Sequence, residues 1–451
     1  MSIAKFTKVI KRDGTLQDFN IEAITDSIFQ AASSVGGRDR ELSLLIANEV
    51  VYLINRSIKE GDTPTTEEIN DYIEKTLIER GHARTAKAFI LERARKKTFD
   101  EYQRKAQFTG TIPYQKIWNV LVWNHGYGYE TLNKINMVMS GDISLWEKLV
   151  QRSDAAYQQD VQAATNRILN KNEVKLVIIA GPSSSGKTTT TIKLEEALQK
   201  HDKTFKTINV DNYFFDLELH PKDVYGDYDF ETPFAIDIKL FNEHLRNLIR
   251  GEEVLTPYYD FKTGKRIPEK IPMHLEENEI ILLDCLHGLY PDLTKSVSEK
   301  QKMKIFIETL AQQRDSSGYF VRWTDIRLLR RMIRDLNFRG YKPEQTLTHW
   351  HYVRRAEMRY IIPHINTADI DYIINGALAY ELPVHKFFLF DYFPEWIEKY
   401  KNDEDRKDAY IRAERVYNLL NEVTTATQEQ IESIPKTSLM REFIGGSSYK
   451  Y

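Results

Sequence analysis

Cysteine is nearly absent: 451 residues contain one, Cys285, so neither a disulfide framework nor a multi-cysteine zinc site can form within the chain. That residue reads as a small core side chain. Long apolar runs are missing as well. None approaches the ~20 residues of a membrane helix, and the opening "MSIAKFTKVIKRDG" lacks the apolar core of a secretory signal. Nor is there an excess charge of either sign: 63 Lys and Arg face 66 Asp and Glu, a formal net charge of -3. Such a balance gives no global pull toward nucleic acid or an anionic membrane. The expectation is a cytoplasmic protein acting on small molecules, long enough for two or more domains.

The first 100 residues read as a small, mostly helical unit with a short hairpin. "AKFTKVIKRDGTLQDF" gives two strands about Asp13-Gly14, a dipeptide suited to tight turns. "NIEAITDSIFQAA" and "ELSLLIANEVVYLINRSI" carry helical periodicity, and "TPTTEEINDYIEKTLIERG" opens with a threonine cap and an acidic first turn. "TAKAFILERARKKTFDEYQRK" reads as a further helix. Residues 101–170 read as a mostly helical connector whose first part, "GTIPYQKIWNVLVWNHGYGYE", has no clear period. From 171 to about 400, "VKLVIIA", "KTINV", "EIILLD", "KMKIFIE" and "IDYIIN" alternate with amphipathic segments, the pattern of an α/β parallel sheet flanked by helices. Residues 401–451 read as a helical extension with a loose tail.

Where "VKLVIIA" ends, Gly181-Pro182-Ser183-Ser184-Ser185-Gly186-Lys187-Thr188 fits G-x-x-x-x-G-K-[ST], between a buried strand and a helix. Consecutive backbone N–H groups and a helix N-terminus make such a loop an anion cradle. Gly181, Ser183, Ser184, Ser185, Gly186, Lys187, Thr188 and Thr189 are therefore the candidates for ATP, with Lys187 on the β and γ phosphates and the Thr188 hydroxyl toward Mg²⁺. No guanine-reading N-K-x-D follows. Instead Asp211 and Asp284 end the next predicted strands, on the edge where open parallel sheets bind ligands. Asp211 is placed to take the proton of an attacking hydroxyl and, with Asp284, to face the metal. Arg327, Arg331 and Arg334 share roughly one helical face, either a lid over transferring phosphates or a solvated face tied by Asp325 and Asp335.

From about 172 to 390 the chain resembles the uridine kinase and phosphoribulokinase group of P-loop kinases, through "GPSSSGKTTTT", "DNYFFD", "YDFETPFAID", "TPYYDFKTGKR", "IILLDCLHG", "RRMIRDLNFRG" and "YIIPHINTADIDYIING". The resemblance implies transfer of the ATP γ-phosphate to a nucleoside 5′-hydroxyl. It makes Asp211 the catalytic base and puts Thr188 and Asp284 at the magnesium side. On the acceptor side it implies Tyr213, Phe230, Glu231, Tyr259 and Phe261, with Arg334 and Arg339 as lid and ribose-side arginines. Gly264 replaces a base-reading histidine, Tyr341 a lid arginine, and His349 a base-side glutamine. The acceptor is accordingly left open between a nucleoside and another small alcohol, such as a sugar phosphate or a nucleotide.

Residues 5–96 resemble the ATP-cone regulatory domain through "VIKRDGTLQDFNIEAI", "TTEEINDYIEKTLIERGH" and "AKAFILERARK". This implies adenine-nucleotide contacts at Val9, Lys11, Arg12, Asn20, Ile24, Thr66 and Asn70, while a phosphate-contacting lysine of some members is Ala23. ATP or dATP would act as effector through a homo-oligomeric equilibrium. A nucleotide-sensing regulator with little catalysis is the other reading, although cone-bearing repressors bind DNA through a cysteine-rich zinc ribbon that this chain cannot build.

Overall fold

The computed structural model describes residues 4–11, 16–58, 62–91, 93, 112–171, 173–221, 228, 231–261, 263–366 and 369–450. Contacts divide the chain into two units, Met1–Phe108 and Thr109–Tyr451.

In the first unit, β1 (Lys8–Ile10) and β2 (Leu16–Asp18) pair antiparallel with Val9 opposite Gln17. The expected turn at Asp13-Gly14 lies outside the described residues. Three helices start at side chains that accept otherwise unpaired N–H groups. Asn20 caps α1 (Ile21–Ser34), Asp39 caps α2 (Arg40–Ser57), and a Thr65–Glu68 capping box opens α3 (Thr66–Glu79). Their apolar faces meet around Val9, Ile24, Ile28, Val50 and Ile73.

The second unit begins with α4 (Tyr114–Tyr127), α5 (Leu132–Met139) and the 28-residue α6 (Ile143–Asn170). Five parallel strands follow in the order β4-β7-β3-β8-β9: β3 (Leu176–Ala180), β4 (Thr204–Ile208), β7 (Glu279–Cys285), β8 (Lys302–Glu308) and β9 (Tyr372–Asn375). They are the five apolar runs expected from the sequence. An antiparallel hairpin of β5 (Val254–Asp260) and β6 (Lys265–Met273) stands apart from the sheet. Along β3, Leu176, Ile178 and Ala180 enter one core and Val177 and Ile179 the other. Burial on both faces is why the strand is apolar throughout. Helix α7 (Lys187–Gln199) joins the first face, and α8 (Ile238–Ile249) covers the second. Cys285 is a buried core thiol.

Beyond β8 come α9 (Trp323–Arg334) and α10 (Pro343–Ala356), and beyond β9 come α11 (Glu381–Leu389), α12 (Phe393–Tyr400), α13 (Lys407–Asn421), α14 (Gln428–Ser433) and α15 (Arg441–Ile444). None of the helices among the described residues is long and apolar enough to cross a membrane.

Two stretches differ from expectation. The segment without a period is a helix, α4: Trp123 packs toward the core, while Tyr114, Trp118 and Val122 remain exposed, so apolar residues on two faces cancel the helical signal. The expected loose tail is packed instead. Leu439, Met440 and Phe443 are wholly buried beside Trp146, Val161 and Ala164 of α6, in the core that holds Val177 and Ile179 of β3. Arg441 is drawn in with them, its guanidinium donating to the carbonyl oxygens of Ile431, Glu432 and Ile434.

Candidate functional site

Gly181 follows β3 directly, and the loop ends at Gly186, the N-cap of α7, with φ +99°. A side chain there would strain the backbone and meet Leu439 Cδ1 at 2.6 Å. Ser184 also adopts positive φ, 61°, a cost for a non-glycine residue that tends to be kept at ligand-holding loops. The hydroxyls of Ser184 and Ser185 are buried without a hydrogen-bond partner among the described residues. The Lys187 ammonium donates to the carbonyls of Gly181 and Pro182 at 3.0 and 3.2 Å. Thr188 is exposed, and Thr189 is buried. The result is a strained loop with spare donors at a helix N-terminus, which is the physical description of an anion cradle.

Asp284 lies on β7 opposite Ile179 of β3, one strand from the loop. Burial, reinforced by the neighbouring charges of Glu442 and Asp211, pushes its carboxyl up to about 6 against the opposing pull of Lys187. Asp211 stands just beyond β4 in a one-turn helix, Val210–Tyr213, started by the Asn209 side chain accepting the Asp211 N–H at 3.0 Å. Its carboxyl is open to solvent, yet it sits in a concave sheet edge where surrounding protein raises it above the usual range, with Lys187 opposing. Two carboxylates therefore face one lysine at the ends of neighbouring strands.

The arginines separate into two kinds. Arg327 and Arg330 are wholly buried. Arg327 is bidentate to Glu357 at 2.5 and 3.1 Å and meets Glu308 at 2.9 Å. Arg330 is bidentate to Glu381 at 2.6 and 2.7 Å and donates to the carbonyls of Gly376, Ser184 and Ser185. The shared lid face is thus corrected at Arg327, which is a structural ion pair. Arg331 donates to Ser183 Oγ at 3.2 Å and lies 3.6 Å from Glu231. Arg334 and Arg339 gather on Asp335 at 3.0 and 3.6 Å, whereas Asp325 pairs with Arg415 of α13.

Among the acceptor-side candidates, Tyr259 and Phe261 form an edge-to-face cluster with Phe214, and Phe261 is exposed while Tyr259 is buried. Tyr213 is a correction: it is fully buried against Phe241, with its hydroxyl bonded to His244 Nδ1 at 2.9 Å, so it presents nothing to an acceptor. His349 is an exposed residue of α10 bonded to the Gln345 carbonyl. Phe230 lies outside the described residues. Gly264 has φ +66°, and a Cβ would come within 2.9 Å of Leu217 Cβ, so a tight turn stands where the family's histidine reads a base.

In the first unit, Val9 and Ile24 are core side chains, Asn20 is the helix cap, Lys11 is exposed, and Thr66 and Asn70 are half-buried on α3. Arg12 lies outside the described residues.

Sequence reasoning missed the groups that support the loop from a distance. Glu442 of α15 accepts both the Thr189 N–H at 3.1 Å and its hydroxyl at 2.6 Å. Tyr157 of α6 bonds Thr190 Oγ1 at 2.7 Å, and the Arg330 guanidinium lies 4.9 Å from the Phe443 ring centre. These partners are 33 to 253 residues from the loop helix, and no local pattern marks them.

Residues 176–375 match the model of the Phosphoribulokinase / Uridine kinase family, and residues 7–98 match the ATP cone domain. Uridine kinase of Brevibacillus brevis is 28% identical over 43% of this chain and 82% of its own length. Uridine-cytidine kinase B of Dictyostelium discoideum is 30% identical over 43% of this chain and 72% of its own. The chain belongs to the phosphoribulokinase and uridine kinase family. This kinase is a phosphotransferase acting on a hydroxyl acceptor, and it carries an ATP-cone domain in front. A possible uridine kinase from Bacillus stearothermophilus is 12% identical over 48% of this chain and 97% of its own, with a TM-score of 0.33, too low to bear on function. Glu442 and Tyr157 both fall outside the stretch that the kinase family model matches.

Proposed function

We propose that this kinase transfers the γ-phosphate of ATP to a nucleoside 5′-hydroxyl. The observation that carries the reading is the pair Asp211 and Asp284, at neighbouring strand ends around Lys187 of the phosphate loop. Thr188, Asp211 and Asp284 offer oxygen donors only, the kind that suits Mg²⁺. Burial lifts the Asp284 carboxyl, the protein around the sheet edge lifts that of Asp211, and the Asp211 charge raises Asp284 further, so a cation between them would relieve the site. Among the described residues no three acidic, His or Cys side chains form a cage of their own, in keeping with an ion held largely by phosphates and water. Bound there, Mg²⁺ would neutralise charge on the β and γ oxygens.

The chain's own groups do the rest. Loop N–H groups and Lys187 hold the triphosphate in line with the acceptor. Asp211 orients the attacking hydroxyl and takes its proton, for which a raised carboxyl is the better base. Arg331, already on Ser183, stands beside the loop to offset charge that develops in transfer, and Arg334, one turn on along α9, would join it. Glu231, Tyr259 and Phe261 would contact the nucleoside. The turn at Gly264 keeps a second reading of the acceptor open: with no side chain there to read the base, selectivity for uridine loses a contact, and another nucleoside or small alcohol fits the same chemistry.

The cone is proposed to bind ATP or dATP and, through different affinities for two assembly states, to set activity. The test is ADP formation from Mg-ATP against ribonucleosides, deoxynucleosides, nucleoside monophosphates and pentose phosphates, with and without dATP. A nucleoside should raise ADP most, and Lys11→Ala should blunt the dATP effect. Asp211→Asn should lower turnover by roughly 10²–10⁴-fold with nucleotide binding retained. Near-normal turnover would remove Asp211 as the base.

A further inference from the structure

A second cavity lies away from the phosphate loop. It holds about 250 Å³ between α4, α6 and the loops that follow β8 and β9. It contains no residue of the phosphate loop and none of Asp211, Glu231, Tyr259 or Phe261. Its wall is rich in amides. Asn124 and Gln312 are 3% and 5% exposed, and neither side-chain amide has a hydrogen-bond partner among the described residues. Their amide atoms stay accessible from the cavity, so whatever fills it, water or a ligand, pairs with them, and a ligand carrying both donors and acceptors can replace that water.

Two further amides on the same wall are fixed in direction. Asn375 accepts the N–H groups of Leu310 and Ala377 through Oδ1 at 2.9 and 3.0 Å, which leaves its NH₂ as a donor. Gln313 donates its NH₂ to the Ala379 carbonyl at 2.9 Å, which leaves its oxygen as an acceptor. The wall thus offers donors and acceptors together, complementary to a ring edge that carries both. Lys116 and Asp160 are the charged residues of the lining, and they pair with each other, so nothing there favours an anion. Trp123, Tyr157 and Tyr372 supply flat apolar surface. A volume just under the ~300 Å³ at which ordinary small-molecule pockets begin has room for one ring system and not for a triphosphate.

We infer that this cavity is a binding site for a neutral nitrogen heterocycle of the nucleobase class, distinct from the acceptor cleft and from the ATP-cone. Helices α4 and α6, which precede the matched kinase stretch, build one side of it, and this gives residues 114–170 a task beyond linking.

The experiment is isothermal titration of the full chain with uracil, cytosine, adenine and hypoxanthine, repeated with Gln312→Leu and with Ala156→Phe, which fills the cavity from α6. At least one base should bind one to one with Kd below about 1 mM. Each variant should weaken it about 10-fold or more, with kinase turnover unchanged. Gln312→Leu should also melt no lower than the parent, because it removes an unpaired amide. Absence of binding by all four bases overturns the inference. So does binding that persists in both variants, which would place the base in the acceptor cleft.

Discussion

Replacing Glu442 with glutamine keeps the side-chain shape and removes one charge at the start of α7. Its carboxylate holds the Thr189 N–H and hydroxyl at 3.1 and 2.6 Å, in a position only 7% exposed. Those are the donors that would meet a phosphate if Thr189 contacts ATP as proposed. The carboxylate therefore stands in for a phosphate oxygen, and an incoming triphosphate has to displace it. Hydrogen bonds to a charged acceptor contribute ~1.5–3 kcal/mol each. A glutamine carbonyl retains part of that, so the barrier to displacement falls by roughly 1–2 kcal/mol. Loss of the repulsion that Glu442 exerts on Asp284 works in the same direction. The Kd for ATP of Glu442→Gln should then be about 5- to 30-fold lower than that of the parent. Equilibrium dialysis with labelled ATP measures this, and thermal unfolding run alongside controls for stability. An unchanged or weaker Kd at unchanged melting temperature would refute competition with the phosphate and leave Glu442 with its supporting contact to Thr189 alone.

Other perturbations follow from the same contacts. Arg330→Met leaves Glu381 as an uncompensated buried charge and frees the carbonyls of Ser184 and Ser185. It should cost about 3–5 kcal/mol in urea unfolding and weaken ATP binding with it. Asp154 of α6, which accepts from Tyr380 and Ser438 hydroxyls, is pushed up to about 6, chiefly by burial. Its folded value lies above its unfolded one, so the native state holds the extra proton and wild-type stability should fall as pH rises from about 4 through about 6. The change is on the order of 3 kcal/mol, and this part of the pH slope should vanish in Asp154→Asn.

What could be read in advance follows a physical division. Strands of the central sheet are buried on both faces, so "VKLVIIA" and "EIILLD" advertise themselves as unbroken apolar runs. The phosphate loop is legible because its strain demands glycine and its chemistry demands lysine and threonine at fixed offsets. The placement of Asp211 and Asp284 at the sheet edge is legible because each directly follows an apolar run that ends there, and their chemical roles are those proposed above. Arg327 and Arg330 were not, because the charges that hold them, on Glu308, Glu357 and Glu381, come from other elements 19 to 51 residues away. Helical spacing alone groups Arg327 with Arg331 and Arg334, although the first is enclosed between Glu308 and Glu357, the second reaches Ser183 Oγ and the third lies on Asp335. Tyr213 follows the same logic in reverse, since a residue two places beyond a strand-end aspartate turns back into the core.

The phosphate loop is supported from both ends of its own unit. Tyr157 reaches Thr190 from α6, while Leu439 closes on Gly186 and Glu442 on Thr189 from α15. All three lie outside residues 176–375, which the kinase family model matches. Trp146, Val161 and Phe443 are wholly buried in the core that also contains Ile179, immediately before the loop. Removing either flank would expose that core and withdraw a direct contact to the loop helix at once. Burial of large apolar side chains stabilises by roughly 1.5–3 kcal/mol each, comparable in sum with the whole stability of a domain. The sheet and its loop therefore depend on helices α4 to α6 and on the chain's final turns for folding as much as for chemistry. A change in those flanks, far from any reacting atom, is felt at Thr189 and Thr190 through direct hydrogen bonds.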